Sequence, residues 1–485
     1  MNKKILLILA SFLCTFCGSE QTGKKLESSS SQGKKLNVLM IAVDDLRPEL
    51  GAYGNTLIHS PNIDKLASQG VTFSNAFCNI PVCGASRASL LTGTRPTRYR
   101  FLAYDERADQ QVPNAIPISQ LFKNGGYTTL SNGKVFHDKE DHAESWDVNW
   151  RIKPGGILSN YALSENIKLQ ETAKGPAFEK ANVPDTIYTD GKIALKTIED
   201  LKQLKTEGQP FFLAVGFIKP HLPFNAPQKY WDLYNRSDFE PTNPEKLPHN
   251  APKEAFHTFG ELRKYHGVPK EGPIGDSLSV SLQHGYYASV SYVDAQIGLV
   301  LEALDELGLR ENTIVLLWGD HGWNLGEHGL WSKHCNFNTS LSAPLIISAP
   351  NMLTGHKSLV MTEFVDIYPT LSDLCGLEIP STVEGKSLAA VLEDSAAKHK
   401  DFVISKYRDG LTLRTEQYAY TEWRKDDDSF VSSMLYDHYS DPMEMNNIVN
   451  NPENAALVDS LQKLLHANRG EDYFSKIEKE GMSVK

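Results

Sequence analysis

The chain is short of cysteine, of basic charge and of long apolar stretches, and each shortage removes a class of protein. Six of its 485 residues are cysteine, and two of these, Cys14 and Cys17, sit in the N-terminal apolar stretch. The other four, Cys78, Cys83, Cys335 and Cys375, show no CxxC spacing and no framework density, which argues against a zinc ribbon or a disulfide-stapled mini-fold. Lys and Arg number 49 against 60 Asp and Glu, for a formal net charge of −11. That balance argues against a general nucleic-acid binder, although a local basic pocket can still take an anionic substrate. There is no internal repeat. With 40% hydrophobic and 22% charged residues the composition is that of a globular enzyme, large enough for one sizeable core and a smaller second one.

The apolar run Ile5–Phe16 follows Lys3 and Lys4 and is too short to span a bilayer. It reads as the core of an export signal over residues 1–17. Cys17-Gly18-Ser19 leaves two outcomes open, lipid attachment through Cys17 or simple secretion. Residues 18–35, nearly free of apolar side chains, read as a flexible tether. The expected location is therefore outside the cytoplasm of a bacterium: periplasmic, secreted or lipid-anchored at the cell envelope.

From residue 36 to about 395, continuous apolar strands alternate with helical patterns. NVLMIAV (Asn37–Val43), FFLAVGF (Phe211–Phe217), TIVLLW (Thr313–Trp318) and PLIIS (Pro344–Ser348) read as buried strands, and Tyr127–Leu130 as a shorter one. Pro61–Gly70 and Ser289–Leu307 carry helix spacing, each ended by glycine. This order predicts an α/β fold, a mostly parallel sheet sandwiched by helices. Residues 138–187 and 225–276 lack clear periodicity and read as long excursions of the kind that rim a substrate site. Residues 396–485 carry short alternating strands and then a helix, which predicts a small α+β C-terminal unit.

Reactive residues follow the strands. Asp44-Asp45 follows the first, and Lys134 and His137 follow the strand near Leu130. Lys219-Pro220-His221 follows FFLAVGF, and Asp320-His321 follows TIVLLW. In doubly wound sheets ligands bind beyond these carboxyl ends. Each group has a plainer reading alone: a capped turn for the aspartates, a packed histidine, exposed lysines. Together, at one sheet edge, three carboxylates suit a hard divalent ion such as Ca²⁺ or Mg²⁺. Cys83 opens a helical pattern, where the helix dipole favours negative charge, with Arg87 one turn on. The plainer reading is a small buried thiol.

The run Cys83-Gly84-Ala85-Ser86-Arg87, with Leu91-Thr92-Gly93 after it, resembles the signature of the type I sulfatases, in which the cysteine becomes formylglycine (3-oxoalanine). Segments 44–54, 133–137, 210–224, 320–337 and 435–447 extend the resemblance, and within the family they are most similar to the iduronate 2-sulfatase branch. The resemblance implies an alkaline-phosphatase-like fold. It implies one divalent metal, Ca²⁺ before Mg²⁺, on Asp44, Asp45, Asp320, His321 and the modified Cys83. It implies Arg87 and Lys134 at the nucleophile and Lys333 at the sulfate. His221 would be the acid for the leaving sugar oxygen and His137 the base that restores the aldehyde. Lys219, Trp323 and His334 are further substrate candidates, Trp323 with core packing as its plainer reading. Ala85 stands where many members have proline, as in bacterial substrates of the radical-type maturase, so such a maturase is an expected partner. His334 stands where the iduronate enzymes have tyrosine.

The expected activity is exo-acting removal of a 2-O-sulfate from a terminal uronate of a sulfated oligosaccharide, from a glycosaminoglycan or an algal polysaccharide. Two other readings keep parts of this pattern: a phosphate or phosphonate ester hydrolase of the same superfamily, and a non-catalytic glycan-binding lipoprotein. A cysteine at residue 83, where the phosphoryl-transferring relatives use serine or threonine, favours sulfate.

Overall fold

The structure is a computed structural model that describes residues 35–152, 161–171, 173–242 and 246–470. The export signal, Cys17 and all of the tether but Lys35 lie outside the described residues. Among the described residues no helix is long and apolar enough to cross a membrane.

Among the described residues, eight strands build the central sheet: β1 (Asn37–Val43), β2 (Val71–Phe73), β3 (Thr128–Gly133), β4 (Val148–Trp150), β5 (Phe211–Phe217), β6 (Thr313–Gly319), β7 (Leu345–Ser348) and β8 (His356–Ser358). Their order across the sheet is β8-β2-β7-β6-β1-β5-β3-β4. Only β7 is inverted; it pairs antiparallel with β6 and β2, and every other pairing is parallel.

The continuous apolar strands are explained by burial on both faces. In β1, Leu39, Ile41 and Val43 enter one core cluster and Val38, Met40 and Ala42 the opposite one, as a two-residue period requires. On the first face lie α1 (Pro61–Ser68), α3 (Thr189–Glu207) and α4 (Asp276–Glu306), through Ile63, Ile193, Leu201, Val293 and Ile297. On the second lie α2 (Cys83–Thr92) and α5 (Ile367–Leu374), through Ala85, Ala88, Leu91, Ile367 and Leu371.

Two boundaries differ from the sequence reading. The helix expected to begin at Ser289 begins at Asp276, because its first turns mix Ser279, Gly285, Tyr286 and Tyr287 and hide the apolar period. Strand β3 runs on through Ser131, Asn132 and Gly133. These polar residues are buried there, and Asn132 Nδ2 donates to Asp200 Oδ2 at 2.8 Å.

Past Asp401 an antiparallel meander of β9 (Phe402–Tyr407), β10 (Gly410–Thr415), β11 (Tyr418–Arg424) and β12 (Phe430–Asp437) packs against α6 (Ala455–Asn468). Leu413, Tyr420, Leu435, Leu461 and Leu465 form its core. The fold is therefore α/β with a smaller α+β C-terminal part.

Candidate active site

Strands β6, β1, β5 and β3 are neighbours and parallel, so their carboxyl ends share one sheet edge. That adjacency gathers Asp44-Asp45, Asp320-His321, Lys134 and the 219–221 turn. Side chains on a strand alternate in direction, yet both aspartates enter the same site. Asp45 has φ 59°, which turns the chain at the strand end. The turn is held from both sides: Asp45 N–H donates to Asp320 Oδ1 at 3.0 Å, and Tyr286 Oη donates to the Asp45 carbonyl at 2.8 Å.

Cys83 is the first residue of α2, and its Sγ lies 3.1 Å from His321 Nε2 and 3.7 Å from Asp45 Oδ1. The Tyr104 backbone packs on the first turn of α2 and needs glycine at residue 84: a Cβ there would stand 2.0 Å from the Tyr104 carbonyl oxygen. The helix dipole does not make this cysteine a thiolate. Burial pushes its thiol up to about 12, against the opposing pull of Lys333 and Lys134.

Arg87, fully buried, spends its guanidinium on the carboxylates behind the site. Nε donates to Asp320 Oδ2 at 2.9 Å, one Nη to Asp44 Oδ1 at 3.1 Å, and the other to the carbonyls of Lys134 and Val135. Lys134 Nζ donates to the second Asp44 oxygen at 2.6 Å. Burial alone would raise the Asp44 carboxyl, but Lys134 and Arg87 hold it well below the usual carboxylate range. Asp45 is the opposite case: burial outweighs His221 and Lys333 and pushes its carboxyl up to about 7.

Lys333 Nζ reaches both Asp45 oxygens, at 3.0 and 3.1 Å. His221 Nε2 lies 3.8 Å from Asp45 Oδ2. A residue the sequence did not flag joins them: Glu261 places Oε1 3.2 Å from His221 Nε2 and Oε2 2.9 Å from Lys333 Nζ. Burial would raise the Glu261 carboxyl, but Lys333 and His221 hold it well below its ordinary value. It comes from the aperiodic 225–276 excursion. No motif marks it, and only the reading of that stretch as a substrate rim pointed its way.

The remaining expected residues take varied places. His137 sits in the field of Lys134 and Arg87, edge-on to Tyr104; burial first, then those cations, push its imidazole down to about 2, so it is neutral. Its buried Nδ1 has no hydrogen-bond partner among the described residues. His334 is half-buried, stacked on Tyr407 at 5.9 Å, and pushed down to about 3 by burial and Lys333. The geometry gives two substrate candidates no support. Lys219 is buried and donates to the carbonyls of His221 and Pro223, which braces the His221 turn. Trp323 is 1% exposed, packed under the Lys333 ammonium and against Phe224, so the core-packing reading fits it better than sugar stacking.

The donor set fits a hard cation. His321 Nδ1 lies 2.9 Å from the Gly322 carbonyl, which can only accept, so Nδ1 carries the hydrogen. Its Nε2 then turns toward Cys83 Sγ, Asp45 Oδ1 at 3.4 Å and Asp320 Oδ1 at 3.7 Å. Electron-rich atoms crowd one point, and buried Asp45 is short of positive charge. Asp44, Asp45, Cys83 and His221 bring ligand atoms within 4.8 Å of one another, as do Cys83, Asp320 and His321, so the two groups joined at residue 83 can hold a divalent ion.

A sulfatase family model matches residues 36–377. The chain belongs to the sulfatase family. A model of the N-sulphoglucosamine sulphohydrolase C-terminal region matches residues 326–471 of the sulfatase. The sulfatase is 31% identical over 529 residues to iduronate 2-sulfatase of Mus musculus, across 90% of this chain and 95% of that one. In structure it is similar to a protein solved in complex with its substrate D-glucosamine-2-N,6-O-disulfate, with TM-score 0.74, 22% identity, and 93% and 100% of the two chains covered. It is equally similar to a phosphonate monoester hydrolase from Silicibacter pomeroyi, with TM-score 0.74, 21% identity, and 93% and 99% covered. At those identities the two likenesses speak to the fold, which is alkaline-phosphatase-like. The sulfatase is thus an enzyme that hydrolyses sulfate esters.

Proposed function

We propose that this sulfatase removes a 2-O-sulfate from the terminal uronate of a sulfated oligosaccharide. In this reading 3-oxoalanine formed from Cys83 is the nucleophile, beside one divalent metal. The observation that carries the reading is the placing of Cys83 Sγ 3.1 Å from His321 Nε2 and 3.7 Å from Asp45, in the field of the buried Lys333 and Lys134. An unmodified thiol, once it carried the sulfate, would have no second hydroxyl through which to expel it, which accounts for the need to oxidise residue 83. The preference for uronate rests on the likeness to iduronate 2-sulfatase.

Ca²⁺, with Mg²⁺ as the alternative, would be held by Asp44, Asp45, Asp320, His321 and residue 83, and would acidify the attacking hydroxyl and neutralise sulfate oxygens. The chain's own residues do the rest. Arg87 and Lys134 fix Asp44 and Asp320 from behind and bring positive charge to the nucleophile's side. Lys333 neutralises the sulfate group as it transfers. His221 Nε2 gives its proton to the departing sugar oxygen, and neutral His137 takes a proton from the second hydroxyl at residue 83, which expels sulfate. A divalent ion among the carboxylates Asp44, Asp45 and Asp320 would make the site more attractive to an anion. Neutral His334, beside Lys333, offers a hydrogen bond at the sugar side. Ala85 points to a radical-type maturase, and the N-terminal signal to export before or after that step.

The test couples maturation to turnover. The chain is co-expressed with a maturase, conversion of residue 83 is read from the mass of its tryptic peptide, and sulfated disaccharides are screened. Release of 2-O-sulfate from a terminal uronate is expected, with none from Cys83→Ala. Turnover of only 6-O-sulfated hexosamine would overturn the uronate assignment, and activity in Cys83→Ala would overturn the nucleophile.

A further inference from the structure

We infer that Glu261 is a positioning residue for the sulfate-ester chemistry: its carboxylate holds the Nε2–H of His221 and the Lys333 ammonium side by side over Asp45. The inference rests on the roles proposed above for His221 and Lys333.

The hydrogen positions follow from the partners. His221 Nδ1 lies 2.6 Å from the Leu222 carbonyl, an acceptor only, so that nitrogen carries a hydrogen. Nε2 faces two carboxylates, Glu261 at 3.2 Å and Asp45 at 3.8 Å, where a lone pair would be repelled and an N–H is attracted. Lys333 Nζ bridges the same two carboxylates, at 2.9 Å and 3.0 Å. Two carboxyl groups and two nitrogen donors therefore alternate around a ring. With Asp45 given to a metal ion, Glu261 would be the carboxylate left to hold both side chains.

Glu261 is itself well anchored. Phe259, Leu262 and Tyr265 on either side of it are buried in the main core, so the short segment cannot swing freely. Its side chain keeps 20% exposure, which puts it at the mouth of the site. Lys219 grips the His221 and Pro223 carbonyls and fixes the backbone of that turn; Glu261 fixes the imidazole on it.

The experiment compares Glu261→Gln and Glu261→Asp with the parent enzyme, each with residue 83 converted to the aldehyde to the same extent. Two substrates separate the roles: the sulfated disaccharide, whose sugar oxygen needs a proton to leave, and 4-nitrocatechol sulfate, whose oxygen does not. For Glu261→Gln, kcat on the disaccharide, which needs both His221 and Lys333, is expected to fall by about tenfold to hundredfold, with a clearly smaller loss on the aryl ester, which needs Lys333 alone, and Glu261→Asp recovering part of both. A crystal structure of Glu261→Gln with residue 83 still cysteine gives a readout free of turnover: the His221 ring or Lys333 Nζ is expected to shift by more than about 0.5 Å. Equal losses on both substrates, or unshifted side chains with unchanged rates, would overturn the inference. A parent enzyme that is fully converted yet hydrolyses neither ester would bring down the underlying reading instead.

Discussion

Asp45→Asn should make the metal-free protein more stable at alkaline pH, although it deletes a charge that Lys333 contacts. In the folded chain burial moves the Asp45 carboxyl from 3.8 to about 7. Between those values the native state holds a proton that the unfolded chain has lost, so stability falls as pH rises through that window. At about 1.4 kcal/mol per unit, the three-unit shift costs about 4 kcal/mol by pH 8. Asparagine carries no such cost. The attraction of Lys333 is already contained in that net shift, and Lys333 keeps Glu261 as a partner. The variant should therefore exceed the parent by up to about 4 kcal/mol in chelator at pH 8, with a smaller gap near pH 5. Calcium at a thousand times the parent's dissociation constant should close the gap, since it stabilises the parent by about 4.1 kcal/mol and the variant far less. Urea unfolding at both pH values, with chelator or calcium, measures all four cases. The difference between the two proteins isolates Asp45 from every other titrating group. A variant less stable than the parent in chelator at pH 8 would refute the reasoning.

Arg87→Met should be destabilising by about 3–5 kcal/mol in urea unfolding, because it leaves Asp320 buried without its guanidinium partner. Added calcium should restore part of that loss, and a change below about 1 kcal/mol would show that the pairing contributes little. Gly84→Ala should fold poorly or shift the Tyr104 segment, since its new Cβ would sit 2.0 Å from a backbone oxygen; an unchanged melting temperature would contradict that packing.

Much of this protein was legible in one dimension. The apolar strands stand out because both faces are buried, and the residues after them are chemical because parallel strands expose their carboxyl ends together. The Cys83–Arg87 run is a local signal, legible because a helix start and the residue one turn on are fixed by spacing alone. Other features are pairwise facts of the folded chain. The order β6-β1-β5-β3 decides that Asp44, Asp320, Lys134 and His221 meet. Burial, which no local pattern reports, overrides the helix dipole at Cys83 and turns Trp323 into core packing. Lys219 follows its strand just as Asp44 does, yet its own turn takes its ammonium. Glu261 was beyond the sequence altogether: it lies in an aperiodic stretch 40 positions from His221 and 72 from Lys333. Its role comes from the distances to those two cations, which chain spacing does not encode and only three-dimensional packing sets.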